Sequence, residues 1–274
     1  MEHKHSLSPA SLLNYVHDYI IFFDWLVSSG YHEGPVSDIP LDLLNKLRVQ
    51  DITKFRSHLV RDQGNADNTI NRKYASLVSL FKYLSDIAEH ENLTPYLTRN
   101  VMAKVEMTTD KVDNDAKANN IKSYILRDDD FEKFREFVAF EFGQQPKLHG
   151  TTKRFHTLNR ERDTAIISLI LGSGMRVSEL VGLNEEDIDM DSNSMTVSRK
   201  GGKTSVIYFS DIAKADLKDY ISVRKRKYKP EKTTRALLLP SQESINWKEG
   251  RLTVRAVQKL VEKYAKAFGR PSLT

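Results

Sequence analysis

Residues 169–203 read LILGSGMRVSELVGLNEEDIDMDSNSMTVSRKGGK, and the rest of the chain is interpreted outward from this stretch. An apolar helix runs into a Gly-Ser-Gly turn, and Arg176 follows at the start of a second helix. A short strand is predicted around Ile188. Two runs rich in β-forming residues then flank a Lys-Gly-Gly-Lys turn, which predicts a hairpin. The stretch therefore places a cation after a glycine turn and more cations at a hairpin tip.

The composition limits the class of protein. With 274 residues, 39% of them hydrophobic, the chain is long enough for two domains with separate cores. No apolar run approaches the ~20 residues that span a bilayer, and no secretion signal is recognisable. The absence of cysteine excludes disulfides, cysteine-bound zinc and thiol catalysis. We therefore expect a cytoplasmic protein without membrane association. The net charge of +5 favours a polyanionic partner such as DNA, although many soluble proteins share it.

The first half of the chain has the pattern of a helical domain. Ser8 and Pro9 form a helix start, and apolar residues then recur at three- and four-residue steps. This pattern predicts a buried face made of Leu12, Val16, Tyr19, Ile20, Phe23, Leu26 and Val27. Further helices are predicted over 50–61 and 67–84. Apolar residues become rare after residue 105, which indicates a linker. The predicted organisation is a domain over 1–107, a linker over 108–122 and a second domain over 123–274.

A polar face on the helix predicted over 67–84 is the candidate DNA-binding surface of the first half. Short polar groups and cations near a helix N-terminus suit phosphate contacts, because free backbone N–H groups and the helix dipole add to the charge. The alternative is an ordinary solvated helix face. The candidate residues are Thr69, Asn71, Arg72, Lys73 and Lys82, with Ser76 on the same face.

The second half combines long helices with the short strands. A helix is predicted over 128–142, a polar basic loop over 143–160 and a central core helix over 160–171. A long helix with a cationic last turn follows the hairpin. The last predicted helix covers 253–268, with Tyr264 as a core residue.

Arg176 and Lys200 are the candidates for chemistry. An arginine fork can bind a phosphate with two hydrogen bonds and stabilise charge in a transition state. Glu179 lies one helical turn further on and can orient the guanidinium. A lysine at a hairpin tip made flexible by glycine can reach a groove and deliver a proton. Each signal alone is weak, because such residues are more often structural or solvated.

Taken together, these motifs resemble those of the tyrosine recombinases of the phage integrase family. Residues 171–180, LGSGMRVSEL, are similar to the family's first catalytic box, and residues 199–203, RKGGK, to its catalytic hairpin turn. The helix NTINRKYASLVSLFKYL at 68–84 resembles part of the core-binding domain. Within the family, the chain looks most like the Xer recombinases that act alone, and the resemblance covers nearly its whole length.

The resemblance implies a mainly α fold with a small β-sheet. An N-terminal helical, SAM-like core-binding domain would precede an incomplete α+β catalytic domain with a three-stranded antiparallel sheet. The implied enzyme cuts and rejoins duplex DNA through a 3′-phosphotyrosine, without a metal or other cofactor. It works as a homodimer or homotetramer on DNA and resolves chromosome dimers, with a septal DNA translocase as an expected partner.

The resemblance also implies residue roles. Arg176 corresponds to the first arginine that holds the scissile phosphate, and Glu179 to its supporting carboxylate. Lys200 corresponds to the acid that protonates the leaving 5′-oxygen. Lys203 is a further candidate DNA contact in the hairpin.

The sequence departs from the family pattern after the helix predicted over 253–268. The family continues there into His-x-x-Arg, then a histidine or tryptophan and the nucleophilic tyrosine. No such motif follows this helix, and the match at 58–61 lies in the first half. We therefore expect a fragment that binds DNA without cleaving it, with an uncovered apolar face around 166–171. The alternatives are a non-catalytic DNA-binding remnant, an integrase of a mobile element, and a helical protein without a role on nucleic acid.

Overall fold

The computed structural model describes residues 8–107, 126, 129–199, 202–241 and 250–273. The chain divides into two compact units, residues 1–112 and 113–274. The linker predicted over 108–122 lies outside the described residues, so the predicted domain boundaries stay a prediction. Nowhere in the described ranges is a helix both long and apolar enough to cross a membrane.

Helices make up most of the described N-terminal unit, and they pack around an aromatic core. This core contains Phe22, Trp25, Phe55 and Phe81, whose rings lie within about 5–6 Å of Phe22 or of one another. The two helices predicted over 50–61 and 67–84 are confirmed. A short helix at Leu41–Lys46 was not predicted, because six residues are too few to show a hydrophobic period. The helices are α1 (Pro9–Ser28), α2 (Leu41–Lys46), α3 (Val49–Arg61) and α4 (Asp67–Asp86), with 3-10 turns at Val36–Asp38 and Val101–Lys104.

The buried face of α1 differs from the one that its apolar pattern predicts. Leu26 is buried as predicted, but Phe22 and Trp25, which lie outside the predicted face, are buried as well, whereas Ile20 is 48% exposed. Asp18 lies on the buried face with them. A carboxylate at an inward position interrupts the hydrophobic period of α1. The apolar residues alone therefore predict a face that is rotated about the helix axis from the face that is buried.

The described part of the C-terminal unit combines helices with one small sheet. Strands β1, β2 and β3 pair antiparallel in that order, with Met195 opposite Ile188 and Ile207. This confirms the predicted mainly α fold with a three-stranded sheet. The elements are α5 (Asp130–Glu136), a π-helical turn (Phe137–Glu141), a 3-10 turn (Phe142–Gln144), α6 (Gly150–Ser173), α7 (Val177–Gly182), a 3-10 turn (Glu185–Asp187), β1 (Ile188–Asp189), β2 (Ser194–Ser198), β3 (Thr204–Tyr208), α8 (Asp211–Tyr228) and α9 (Val254–Ala267).

The prediction of a loop over 143–160 is wrong for most of this range. Helix α6 begins at Gly150, ten residues before the predicted start, and His149 caps it by accepting the Thr151 backbone N–H at 3.3 Å. His156 and Asn159 fill inward positions of this first half and are buried. Because these inward residues are polar, the apolar period that marks a core helix is absent here.

Helices α6 and α8 lie side by side and run in opposite directions. At one end, a Cβ on Gly172 would come within 2.7 Å of the Ser210 hydroxyl at the start of α8. At the other end, the Lys227 ammonium bonds to the Glu161 carboxylate at 2.6 Å. Glycine at 172 therefore lets the start of α8 approach the turn that carries Arg176.

A buried polar network ties α6 to α9. The Tyr264 hydroxyl donates to Asp163 Oδ2 at 2.7 Å and lies 3.0 Å from His156 Nδ1. Arg162 donates to Asp163 Oδ1 at 2.8 Å and to the Leu239 carbonyl at 2.9 Å. Tyr264 is fully buried, which confirms it as a core residue. The buried charges are paired, as their removal from water requires.

We expect the C-terminal unit to lose stability as the pH falls from about 6.5 towards 4. Burial lowers the pKa of His156 from 6.5 to about 4, and the Asp163 charge only partly opposes this. The unfolded chain therefore binds the His156 proton more tightly than the folded chain. The resulting stability is complete above pH 6.5 and is lost as the pH falls towards 4, by at most about 1.4 kcal/mol for each pH unit.

Urea unfolding at pH 7 and pH 5 measures this effect in the wild type and in His156→Gln. The variant should lose less stability than the wild type between the two pH values. His17→Gln, at an exposed position of α1, is the matched control and should behave as the wild type. An equal pH dependence of the wild type and His156→Gln would contradict the assignment.

Candidate functional site

Arg176 is presented to solvent by the turn between α6 and α7. Gly174 ends α6 in the left-handed conformation, with φ of +65°, and Arg176 is the N-cap residue of α7. The Arg176 side chain is 73% exposed, whereas that of Glu179 is 5% exposed. Glu179 Oε1 accepts from Arg176 Nη1 at 2.9 Å, and Oε2 accepts from the Arg176 backbone N–H at 3.0 Å. The carboxylate therefore fixes one edge of an exposed guanidinium.

Arg199 joins this pair and was missed by the sequence interpretation. Its Nε lies 3.6 Å from Glu179 Oε1, and its side chain is 45% exposed. Met195 and Val197 are buried on the inner face of β2, and Arg199 continues the same two-residue alternation. The two-residue period of β2 was thus the sequence signal that could have predicted that Arg199 lies on the side of the strand that faces α7.

The cluster carries a net charge of +1, because one carboxylate faces two guanidiniums. The Arg176 backbone N–H, followed by the Arg176 side chain and the charge of Arg199, holds the pKa of the Glu179 carboxyl below its usual value. Glu179 is therefore ionised at neutral pH, and the remaining positive charge suits a phosphodiester. In the described ranges, no three His, Asp or Glu side chains converge on a position that could hold a metal ion.

The hairpin tip begins directly after this cluster. Lys200 and Gly201 lie outside the described residues. On either side of them, the Arg199 backbone N–H donates to the Lys203 carbonyl at 2.6 Å, and Ser198 pairs with Thr204. Lys203 is exposed. The chain that enters the tip is therefore anchored beside Glu179, although the predicted role of Lys200 stays a prediction.

On α4, part of the predicted polar face is presented to solvent. Asn71 and Lys82 are eleven residues apart, about three helical turns, so they lie on one side of the helix. Lys82 is exposed, and Thr69 and Asn71 are half-buried. These three residues are at least partly accessible to solvent, and their role in DNA binding stays a prediction.

The other residues of that predicted face are used inside the N-terminal unit. Arg72 Nη1 and Nη2 donate to the buried Asp18 carboxylate at 2.7 and 2.9 Å, and the Ser76 hydroxyl donates to it at 2.6 Å. Lys73 is 5% exposed, its ammonium donates to Gln63 at 3.2 Å, and burial lowers its pKa. Placing Lys73 and Ser76 on the exposed face was wrong, because packing against α1 and the end of α3 draws them inward. The Arg72 side chain remains half exposed, but its guanidinium forms an ion pair with Asp18.

An apolar cavity of about 590 Å³ opens beside α6. Ile170 and Leu171 are half-buried and line it, as expected for the uncovered face around 166–171. Ile166 and Leu169 are fully buried instead, because they point into the core of the unit. The other apolar lining comes from Phe134, Ile167, Met175, Val177, Val261 and Leu273.

Sequence comparison finds relatives over nearly the whole chain. Residues 141–273 match the family model described as the phage integrase family. A tyrosine recombinase XerS from Streptococcus uberis is 34% identical over 271 residues, an alignment that covers 95% of this chain and 75% of that protein. A tyrosine recombinase XerS from Streptococcus sanguinis is 35% identical with the same coverage.

Solved structures show the same fold. The XerH site-specific recombinase bound to palindromic difH substrate aligns with a TM-score of 0.61 and 17% identity. This alignment covers 93% of the present chain and 61% of the XerH chain. The Tn1549 transposon integrase in complex with circular intermediate DNA aligns with a TM-score of 0.58 and 15% identity, over 97% of this chain and 76% of that chain. At these identities the likeness concerns the fold alone.

Proposed function

Because the chain belongs to the Xer-type tyrosine recombinases of the phage integrase family, we propose that it supplies the DNA-binding surfaces and half of the active site of a site-specific recombinase. The observation that carries this proposal is the exposed Arg176 guanidinium held by the buried Glu179 carboxylate at the base of the hairpin. The relatives extend beyond the present 274 residues, since the chain covers 75% of their length.

The proposed chemistry is phosphoryl transfer on DNA. Arg176 binds the scissile phosphate and stabilises the charge that grows on it during attack by a tyrosine. Glu179 keeps the guanidinium oriented, so little reorganisation is needed when the phosphate arrives. Lys200 protonates the leaving 5′-oxygen from the hairpin tip. This part is supported by the anchoring of Arg199 and by the register of β2 and β3 up to the tip.

The proposed DNA interface includes both units. In the N-terminal unit, Asn71 and Lys82 on one side of α4, with Thr69 near its start, contact the phosphate backbone. In the C-terminal unit, the exposed Lys203 adds a contact from the hairpin. Lys73 is left out of this interface because the residue is buried and its ammonium bonds to Gln63.

The cellular role is proposed from family membership. We propose a cytoplasmic enzyme that resolves chromosome dimers during chromosome partition and cell division. The complete protein would act as a homodimer or homotetramer on duplex DNA, with a septal DNA translocase as partner. The XerH and Tn1549 integrase structures contain DNA, which supports duplex DNA as the substrate class.

The purified 274-residue polypeptide is expected to bind duplex DNA and to form no covalent adduct with it. Binding is expected because Arg176, Lys82 and Lys203 present exposed cations, and its affinity should fall as salt rises. No adduct is expected because these residues lack the family's His-x-x-Arg box and tyrosine after α9. Fluorescence anisotropy over a salt series measures binding, and a denaturing gel with labelled DNA detects adducts.

Two variants locate the binding surface in the same experiment. Lys82→Ala should weaken binding and lower the slope of log affinity against log salt by about 0.9, the value for one phosphate contact. Lys46→Ala, which removes an exposed cation paired with Asp42, is the matched control and should change neither quantity. A covalent adduct would refute the prediction of inactivity. A lack of binding even at low salt would instead favour a helical protein without a role on nucleic acid.

A further inference from the structure

We propose that Arg199 is a second phosphate-binding arginine of this site, held beside Arg176 by the shared carboxylate of Glu179. This inference rests on the proposed function, because it adds a DNA contact to the same site. It concerns a residue of the β2 end rather than the hairpin tip, and each of its atoms belongs to the described part of the chain.

The distances place the two guanidiniums next to each other. Arg176 Nη1 lies 2.9 Å and Arg199 Nε 3.6 Å from the same oxygen, Glu179 Oε1, so these two nitrogens are at most about 6.5 Å apart. Charge-assisted hydrogen bonds from arginine to phosphate are about 2.8 Å long. One phosphate group between the two side chains can therefore accept from both. Each guanidinium has five N–H donors, so bonding to Glu179 leaves others for the ligand.

The charge of the cluster also fits one phosphodiester. Two guanidiniums and one ionised carboxylate leave a net charge of +1, which a single DNA phosphate neutralises. Glu179 has a second effect, because its negative charge offsets the repulsion that two neighbouring cations would otherwise experience. Its lowered pKa keeps it ionised at neutral pH. The carboxylate therefore allows two arginines to occupy one site before DNA arrives.

The side chain of Arg199 is not needed to close the hairpin. The backbone N–H of Arg199 donates to the Lys203 carbonyl, and backbone pairing of Ser198 with Thr204 continues the ladder. Glu179 is already satisfied by two bonds from Arg176. A side chain that neither the hairpin nor the carboxylate requires, and that is 45% exposed, is available to a ligand.

DNA binding by the 274-residue polypeptide tests the proposal. Arg199→Ala should weaken binding about tenfold, as expected for a hydrogen bond to a charged group, and should lower the salt slope by about 0.9. Arg199→Lys should restore the slope, because it keeps the charge, but should recover only part of the affinity, because an ammonium lacks the fork. Arg235→Ala is the matched control. The Arg235 side chain is 74% exposed and pairs with Glu186 in the same unit, so its removal should change neither the affinity nor the salt slope.

A second readout separates phosphate binding from a structural ion pair. The NMR signal of the Arg199 side-chain N–H, assigned by its absence in Arg199→Lys, should shift when inorganic phosphate or duplex DNA is added. That of Arg235 should not shift. This measurement needs no folded alanine variant.

The outcomes of the two experiments are distinct. If the wild type binds DNA and Arg199→Ala binds equally well with the same salt slope, the assignment of Arg199 is overturned and the proposed function stands. If the wild type itself fails to bind DNA at low salt, the proposed function fails together with it. An unmoved Arg199 signal on saturation with DNA would also overturn the assignment.

Discussion

Replacing Asp163 with alanine is expected to destabilise the C-terminal unit by about 3–5 kcal/mol, the cost of breaking a buried ion pair. Asp163 is 1% exposed and accepts from Arg162 and Tyr264, with the Lys263 ammonium 3.7 Å away. Without the carboxylate, the 4% exposed Arg162 would keep its charge in the interior with no anionic hydrogen-bond partner in the described ranges, only the Leu239 carbonyl and the face of the Tyr228 ring. The free energy of unfolding in urea measures the loss. Hydrogen exchange of the α6 amides assigns it to this unit.

Two further variants control this experiment. Asp163→Asn keeps the shape and one oxygen that can still accept from Arg162, while its amide N–H can donate to the Tyr264 hydroxyl, so its loss should be smaller than that of Asp163→Ala. Asp42→Ala removes an exposed carboxylate paired with Lys46 and should cost at most about 1 kcal/mol. A loss below about 1 kcal/mol for Asp163→Ala would show that the network does not hold α6 and α9 together.

The second large effect is expected for Arg176→Ala in a polypeptide extended through the family's His-x-x-Arg box and tyrosine. Its cleavage rate should fall by about 10²–10³-fold, as for the loss of one preorganised donor to a transition-state oxyanion. DNA affinity should fall far less, because many phosphate contacts contribute to the free energy of binding. Single-turnover formation of the covalent DNA adduct measures the rate, and anisotropy measures binding.

Lys200→Ala provides the comparison within the same polypeptide. Its cleavage should also slow, but a substrate with a 5′-bridging thiol should restore most of the rate, since a better leaving group needs no proton. The same substrate should not rescue Arg176→Ala, whose defect is in binding the charge of the phosphate. Wild-type cleavage by Arg176→Ala, or equal rescue of both variants, would contradict the assigned roles.

The sequence by itself determined the features that depend on neighbouring residues. Gly174 must end α6 with a positive φ, Arg176 then caps α7, and Glu179 follows at the spacing that brings it back to the cap. Likewise, β-forming runs around a glycine turn determine the hairpin. Backbone geometry acts over a few residues, so these motifs, and with them the family resemblance, could be identified from the letters alone.

Only the tertiary structure decided which polar groups meet across the chain. Asp18 and Arg72 are 54 residues apart in sequence and lie on different helices, so their pairing depends on how α1 packs against α4. The same packing decides which face of α1 is buried, and Asp18 lies on that face. His156 also faces inward because of tertiary packing. Since it is polar, the first half of α6 lacked an apolar period and was predicted to be a loop. Hydrophobic periodicity reports burial only when the buried side chains are apolar, whereas a buried polar group is recognised only with its partner. For that reason the contact of Arg199 with Glu179 emerged from the packing of β2 on α7.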